Sequence, residues 1–514
     1  MTLKNTIYGF IAVLLFLPLI IARAETSTLL SEADLRSIDT YIETQIKQAN
    51  IPGAALVVVE ENQITYMRGY GVAGPNEQPV TAETLFLLGS VSKSFTALAI
   101  MQLVEAGNIE LDAPVQKYLP WFRVANPEAS RQMKVRHLLN HTSGFSTYAG
   151  RTHYASSDMS DKAIERRVHA LCKAKLTAPV GKGTYYSNAN YSTLGAIIES
   201  VSKRSYEDYI QEHIFNPLGM TNSYTSHEAA KQHHLATGYR YWFGRPIAAT
   251  NIPYPRGDIA AMYLISSAKD MGRYLLAHMN GDMLEDERIL SAEGMSKLHT
   301  PEKKNLIYAM GWGIGKVNGT PMISHGGRTP NYTVDIGMFP EHQKAYALLV
   351  NAQNSLSGPS PYSLCWSTGR HLIGGFIMPV PKAPRVHIVL ALLCVFLLGR
   401  AIGLAIDCRR IYRWWKSPDT RPKKKRRVVF IRGFGSCMVD IGIVMGMLWI
   451  VPLYHEINLS GLMLYAPDAG WLLLFNGALA IIGLMVSLGI MAFLFQQTKY
   501  INTITTEPVN PADS

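Results

Sequence analysis

Ser90 and Lys93, in the stretch GSVSKSF, stand three residues apart, a spacing at which a lysine amine can take the proton of a serine hydroxyl that attacks a carbonyl carbon. The same spacing recurs at Ser200 and Lys203 (ESVSKRS) and at Ser266 and Lys269 (SSAKDM), and roughly one chance copy is expected in a chain this long. Context separates them. The apolar stretch TLFLLGS ends at Gly89, and SFTALAIMQLVEAG then carries a buried helical pattern, so Ser90 opens a helix whose first N–H groups and positive dipole end suit a developing oxyanion. Lys93 lies one turn on, where an apolar setting lowers its pKa. Ser200 falls near the end of the helical pattern NYSTLGAIIESVSK, where Lys203 reads as a cation on a negative helix terminus, and Ser266 reads as part of an N-cap region.

Two downstream stretches supply the remaining chemistry. GTYYSNANY contains Tyr186-Ser187-Asn188, in which a Tyr186 phenolate beside the Lys93 ammonium would relay the serine proton and Asn188 would hold Lys93 and a substrate amide. ISHGGRTPN puts His325 on a strand, with Gly326 and Gly327 admitting a substrate backbone and the Arg328 N–H completing an oxyanion hole with that of Ser90. Taken singly, a helix start explains the first and a hairpin turn the second. His137 and His141 have the i, i+4 spacing of a zinc pair but lack an evident third ligand, so no metal and no cofactor is expected.

These residues must be positioned by a domain of about 350 residues. The region 31–379 begins with a helical pattern (EADLRSIDTYIETQIKQ) and two strand-like runs (GAALVVVE, QITYMRGYGVA), and ends with four more strand patterns from YAMGWGIGKV to KAYALLVNAQ. Mostly helical patterns lie between. The pattern predicts an α+β domain in which an antiparallel sheet is assembled from N- and C-terminal pieces beside a helical subdomain.

Both ends of the chain differ from this. Residues 1–24 read as an export signal, with Lys4, an apolar run and Ala22-Arg23-Ala24. After the domain at 25–380, a membrane region at 381–514 carries three apolar segments at about 386–406, 434–454 and 471–495. The loop between Asp407 and Arg432 holds eleven Lys or Arg against two Asp, nine of the chain's eleven excess positive charges. The basic character therefore marks a cytoplasmic loop rather than a nucleic-acid partner, and puts the domain and the link 455–470 outside. Arg400 and Asp440 interrupt the first two segments at one depth and are expected to face each other. Cys172 and Cys365 are the only candidates for an exported disulfide, with two reduced thiols equally compatible.

In this order, GSVSK, YSN and HGG, with VRHLLNHTSGF, resemble the penicillin-recognising serine hydrolases, which include class C β-lactamases, D,D-peptidases and related esterases. The resemblance implies a β-lactamase/transpeptidase-like fold, Ser90, Lys93 and Tyr186 as catalytic group, and structural roles for His137 and His141. ANYSTLGAIIE, ISHGGRTPN, the export signal and three C-terminal spans are similar to the membrane-bound prodrug-activating peptidases, such as the colibactin-maturing peptidase. That similarity implies removal of an N-acyl-D-asparagine cap from a nonribosomal peptide in the periplasm of a bacterium, at its inner membrane, with Asn331 holding the cap's side chain. The partners implied are a peptide or acyl-D-amino-acid substrate, with the spans placing the enzyme near an exporter or in a homodimer. Leu87 and Asn188 depart from that pattern, which has an acidic residue and a serine there, and bear on D-asparagine selectivity. The competing expectations are a D,D-carboxypeptidase, a β-lactamase, an esterase, and a membrane sensor acylated outside the cell.

Overall fold

The sequence GAALVVVE is apolar and rich in β-branched residues, and in the computed structural model it forms a strand, Gly53–Glu60 (β1), buried along its whole length. The structure describes residues 29–280, 283–284, 287–303, 306–354, 360–375, 384–416, 423–446 and 456–506. Before β1 comes helix Glu32–Ala49 (α1), started by a Ser31–Asp34 capping box and ended at Asn50 in the left-handed region. After it, Glu61 and Asn62, both at positive φ, turn the chain into Gln63–Gly71 (β2).

Helix Ser92–Glu105 (α2) is buried on nearly every side, as its almost continuous apolar sequence requires. Helix Asn188–Ser202 (α3) packs beside it, and a hairpin of Tyr239–Trp242 (β3) and Arg245–Ala248 (β4) precedes helix Ala268–Met279 (α4). The chain then returns through Tyr308–Ala309 (β5), Trp312–Val317 (β6), Thr320–Arg328 (β7), Thr333–Phe339 (β8) and Lys344–Val350 (β9) to helix Pro361–His371 (α5). These strands form a seven-stranded sheet in the order β5-β6-β7-β8-β9-β1-β2, antiparallel throughout. Ala54↔Val350 through Glu60↔Lys344 joins the N-terminal strand to the last one, so the sheet is closed from both chain ends as the patterning predicts.

Alternation along β1 feeds two cores. Ala54, Leu56 and Val58 pack with Ile38, Ile42 and Leu364 of α1 and α5, whereas Ala55, Val57 and Val59 join the larger core shared with α2, α3 and α4. Cys172 is exposed, Cys365 is fully buried, and both are free thiols, so the disulfide expected as one alternative does not form.

Three long helices follow, Pro384–Lys416 (α6), Lys423–Met445 (α7) and, after the short helix Leu459–Tyr465 (α8), Pro467–Thr506 (α9). Two of them carry stretches long and apolar enough to cross a membrane, Leu390–Arg409 and Pro467–Phe493. The expected middle span is represented by the shorter apolar helix Phe434–Met445, because residues 447–455 lie outside the described residues, as does the expected export signal at 1–24. Arg400 of α6 and Asp440 of α7 meet in an ion pair, and Gly483 of α9 has no side chain to stand between them. A Cβ at Gly483 would lie 2.8 Å from the Asp440 carboxylate.

Candidate active site

Ser90 sits in a single 3₁₀ turn, Gly89–Val91, that leads directly into α2. Gly89 has φ of +55°, and a Cβ there would lie 2.4 Å from the Arg328 nitrogen; a Cβ at Gly327 would lie 1.9 Å from the Leu88 carbonyl. Both glycines are therefore needed to press the serine turn against β7. That approach puts the backbone N–H groups of Ser90 and Arg328 side by side. Residue pairing between β6 and β7 ends at Gly313↔Ser324, so β6 leaves the edge of β7 from His325 onward uncovered beside the serine.

The Ser90 hydroxyl lies 3.0 Å from Lys93 Nζ, which donates a 2.7 Å bond to the Ala261 carbonyl. Lys93 is completely buried, and this burial pushes its pKa well below the usual lysine range, opposed by the more distant Asp258 carboxylate. The Tyr186 ring lies 4.9 Å from the Lys93 nitrogen, and both Tyr186 and Ser90 line the cavity. Burial pushes the phenol upward, against the opposing effect of the nearby Ser90 hydroxyl. Both shifts favour neutral forms, so the resting pair is an amine and a phenol. The phenolate and ammonium expected from sequence are each disfavoured by desolvation.

Tyr186 is fixed from its backbone. Its carbonyl accepts a 2.9 Å bond from Thr147, and the next N–H, of Ser187, donates to His141 Nδ1 at 3.2 Å. Asn190 donates to the same nitrogen at 2.8 Å, which leaves His141 buried and neutral beneath the Tyr186 ring at 4.3 Å between centroids. The segment HTSGF thus acts through the tyrosine triplet. His137 accepts from the Lys134 N–H at 3.1 Å, and no group of three metal-ligating residues occurs among the described residues.

His325 lies beside the serine, its Nδ1–H donating to the Gly326 carbonyl at 2.9 Å and its Nε2 accepting from the Tyr308 hydroxyl at 3.1 Å. Burial, with Lys93 nearby, pushes its pKa down to about 3, so it presents no cation at neutral pH. The cations of the site are Arg328, whose guanidinium lies 4.9 Å over the Tyr362 ring, and Arg151.

A cavity of about 580 Å³ opens over Ser90 and reaches Tyr186, Asn188, His325, Gly326 and Arg328. Two expected residues behave differently. Asn188 lines the cavity, but its amide donates to the Tyr154 hydroxyl at 3.0 Å and the Met262 sulfur at 3.3 Å, while Lys93 is held by the Ala261 carbonyl instead. Asn331 is not among the described residues lining the cavity. It is enclosed by Thr329, Tyr254 and Gly238, where a Cβ would lie 2.1 Å from the Asn331 amide nitrogen, so its polar atoms are spent inside the protein.

Tyr308, Tyr154 and Tyr362 line the cavity without any local pattern that marks them in the sequence. The same holds for Ile457, Leu462, Tyr465 and Ala466, which belong to the link before α9. The other serine–lysine pairs are structural. Ser200 bonds the Tyr118 carbonyl, Lys203 caps α3 through the Ser200 carbonyl at 2.6 Å, and Ser266 bonds Ser223 while its neighbour Ser267 caps α4.

A family model described as beta-lactamase matches residues 38–360, more than half of the chain, and the chain belongs to that family of serine hydrolases. Protein flp of Staphylococcus aureus is 26% identical over 317 residues, covering 62% of this chain and 63% of its own length, so the chain spans less than two thirds of that relative. Penicillin-binding protein 4 of Amycolatopsis lactamdurans is 29% identical over 324 residues, or 59% of this chain and 81% of that protein. The octameric penicillin-binding protein homologue from Pyrococcus abyssi superposes with a TM-score of 0.57 at 29% identity, covering 69% of this chain and 80% of that one.

Proposed function

We propose that the protein is a membrane-anchored serine peptidase that acts through an acyl-enzyme on Ser90. The observation that carries this is the Ser90 hydroxyl 3.0 Å from a fully buried, depressed-pKa lysine, with the Tyr186 ring 4.9 Å from that lysine's nitrogen. In the forward half-reaction the Ser90 oxygen bonds to the carbonyl carbon and its proton passes to Lys93. The oxyanion takes the N–H groups of Ser90 and Arg328. The carbon–nitrogen bond then breaks, Tyr186 gives its proton to the leaving amine, and Lys93 returns the proton to Tyr186. Water reverses these steps to free the acid.

The substrate class we favour is an N-acyl-D-amino acid cap, D-asparagine-like, on a nonribosomal peptide prodrug. A substrate backbone laid along the free edge of β7 has Arg151, Arg328, Asn188 and Gln353 around it as polar contacts. With Asn331 enclosed elsewhere, selectivity for the cap's amide rests on these cavity residues. We assign residues 1–24 to export, 25–380 to a periplasmic domain and 381–514 to three membrane helices at the bacterial inner membrane. The apolar outer surfaces of α6 and α9 support the anchoring, with Leu392, Val395, Leu398, Met485 and Leu488 exposed.

A D,D-peptidase is the second reading, favoured by the names of the penicillin-binding relatives. Hydrolysis of an N-acyl-D-asparaginyl peptide, a D-Ala-D-Ala peptide and a chromogenic cephalosporin by the full chain separates the two. The favoured reading expects the first to be cleaved fastest and Ser90→Ala to abolish cleavage; preference for the D-Ala-D-Ala peptide moves the assignment to cell-wall trimming.

A further inference from the structure

The carbonyl that holds the Lys93 amine comes from Ala261, 168 residues further along the chain. Ala261 belongs to the short helix Ile259–Met262, in which the Ala260 carbonyl also accepts from the Thr96 hydroxyl at 2.6 Å. Just beyond it, the Leu264 N–H donates to the Ser92 hydroxyl at 3.1 Å, and the Leu264 carbonyl accepts from the Leu88 N–H at 2.8 Å. One segment therefore braces the serine turn and the first turn of α2. Four helical residues cannot hold such a place by themselves. Asp258, the residue before the helix, anchors it: fully buried, it accepts from Arg167 Nε at 2.9 Å and from the Ser192 hydroxyl of α3 at 2.8 Å. Arg167, 2% exposed, belongs to helix Ala163–His169 and also donates to the Ala149 carbonyl at 2.9 Å. Gly257 makes room for it, since a Cβ there would lie 2.9 Å from the Arg167 Cβ. Ala149 lies in helix Thr147–Arg151, whose first residue bonds the Tyr186 carbonyl. A single ion pair thus joins the elements that orient Lys93, Tyr186 and the start of α3.

Joining elements does not by itself require charges. Two buried ions must be desolvated, and neutral side chains of similar volume link elements as stably or more so. This pair is also incompletely matched, because Asp258 Oδ2 and Arg167 Nη1 are buried with no hydrogen-bond partner among the described residues. What a carboxylate adds is a field that reaches further than contact in a buried setting. Among the described residues, Asp258 is the carboxylate that acts on Lys93, favouring the ammonium against the larger effect of burial. The other groups facing the amine are the Tyr186 and Tyr191 rings, at 4.9 and 5.7 Å, and His141 and His325, all held toward their neutral forms by burial. Around Asp258, besides Arg167, stand His153, Tyr154 and Tyr263, which burial also holds toward neutrality.

From this geometry we infer that Arg167 and Asp258 form a positioning pair for the general base: Asp258 fixes the Ala261 carbonyl that orients the Lys93 amine, and its charge stabilises the ammonium formed when Lys93 takes the Ser90 proton. In that step the Ser90 O–H bond breaks, an N–H bond forms on Lys93, and a positive charge appears in a fully buried place. Arg167 holds the carboxylate in position for it. Neither residue is among those lining the cavity, so both act through Lys93 rather than on the substrate. The inference rests on the acyl-enzyme reading and deepens it to the residues that set the strength of its base.

The test measures the second-order rate at which a fluorophosphonate labels Ser90 in the detergent-solubilised full chain, from about pH 4.5 to 9, with the fold checked by circular dichroism. Wild type is compared with Asp258→Asn and with the double variant Arg167→Met/Asp258→Asn. The single change keeps an acceptor for Ser192 but strands the Arg167 cation, whereas the double change removes both charges and so guards against loss of fold. We expect the plateau rate to fall about tenfold or more in both variants. The acidic limb, where Lys93 takes up its proton, should lie about one pH unit or more below that of wild type. A merely structural pair would lower the rate without moving the limb. Wild type left unlabelled at Ser90 would sink the acyl-enzyme reading and this inference with it. Labelling of wild type with no acidic limb, an unmoved limb in a folded variant, or failure of both variants to fold overturns the inference alone.

Discussion

An amine whose hydrogen-bond partners are a hydroxyl and a carbonyl, buried without a carboxylate in contact, costs folding free energy and gains basicity usable at neutral pH. The unfolded chain carries a protonated Lys93 up to the ordinary lysine pKa, whereas the folded one holds it neutral, so the cost is present at pH 7 and disappears only above that pKa. Lys93→Met keeps the volume and removes the cost. It should lower kcat by about 10³-fold or more and raise the thermal midpoint, both read on the detergent-solubilised chain. Tyr186→Phe removes only the proton donor, so it should lower kcat by about 10²–10⁴-fold while leaving KM nearly unchanged. Ser90, Lys93 and Tyr186 were legible because each motif pairs a reactive side chain with a recognisable backbone setting. Asn331 misled, because a polar residue two positions past a glycine-rich strand has the same sequence signature whether it points to substrate or to Tyr254.

At the scale of elements, the proposed reaction depends on two backbone segments touching, the turn Gly89–Val91 and the strand β7. Gly89→Ala introduces a Cβ at a left-handed φ of +55° and within 2.4 Å of the Arg328 nitrogen, so the turn must move away from the strand. Kinetic measurement should find kcat lower by about 10²–10³-fold, the effect of losing one oxyanion donor, with KM changed far less. The sheet itself was readable from alternating and fully apolar strand patterns, and its closure by β1 and β9 from the placement of strands at both ends of the domain. The start of α3 was readable as a helix, but the bond from Ser187 to His141 was not, since contacts between segments 46 residues apart leave no local pattern. The α8 link escaped for a related reason: a short helix among apolar spans reads as part of the membrane region until its docking on β3 is seen.

For the whole molecule, buried histidines govern the response to acid. His141, His278, His299 and His325 are all held below the usual histidine pKa by burial, the last two at about 4 and about 3. The unfolded chain binds protons that the folded chain refuses, so stability present above about pH 6.5 falls as the pH drops toward these values. Asp335 acts in the opposite sense. Burial raises it to about 7, so its contribution is lost as pH rises from the ordinary aspartate range through 7. Four groups outweigh one, and thermal midpoints should fall steadily from pH 7 to pH 4.5; a flat or rising midpoint over that interval would contradict these assignments. The paired Arg400 and Asp440 show that charge placement within apolar segments was legible from depth alone, whereas Gly483, which completes the site, carries no charge to announce it.

The most direct measurement is mass spectrometry of the full chain quenched during turnover of an N-acyl-D-asparaginyl peptide. The mechanism predicts an adduct of the acyl fragment's mass on the peptide containing Ser90, accumulating in wild type and absent from Ser90→Ala. Continued cleavage with no adduct, or an adduct on Ser200 or Ser266 that survives Ser90→Ala, would contradict it.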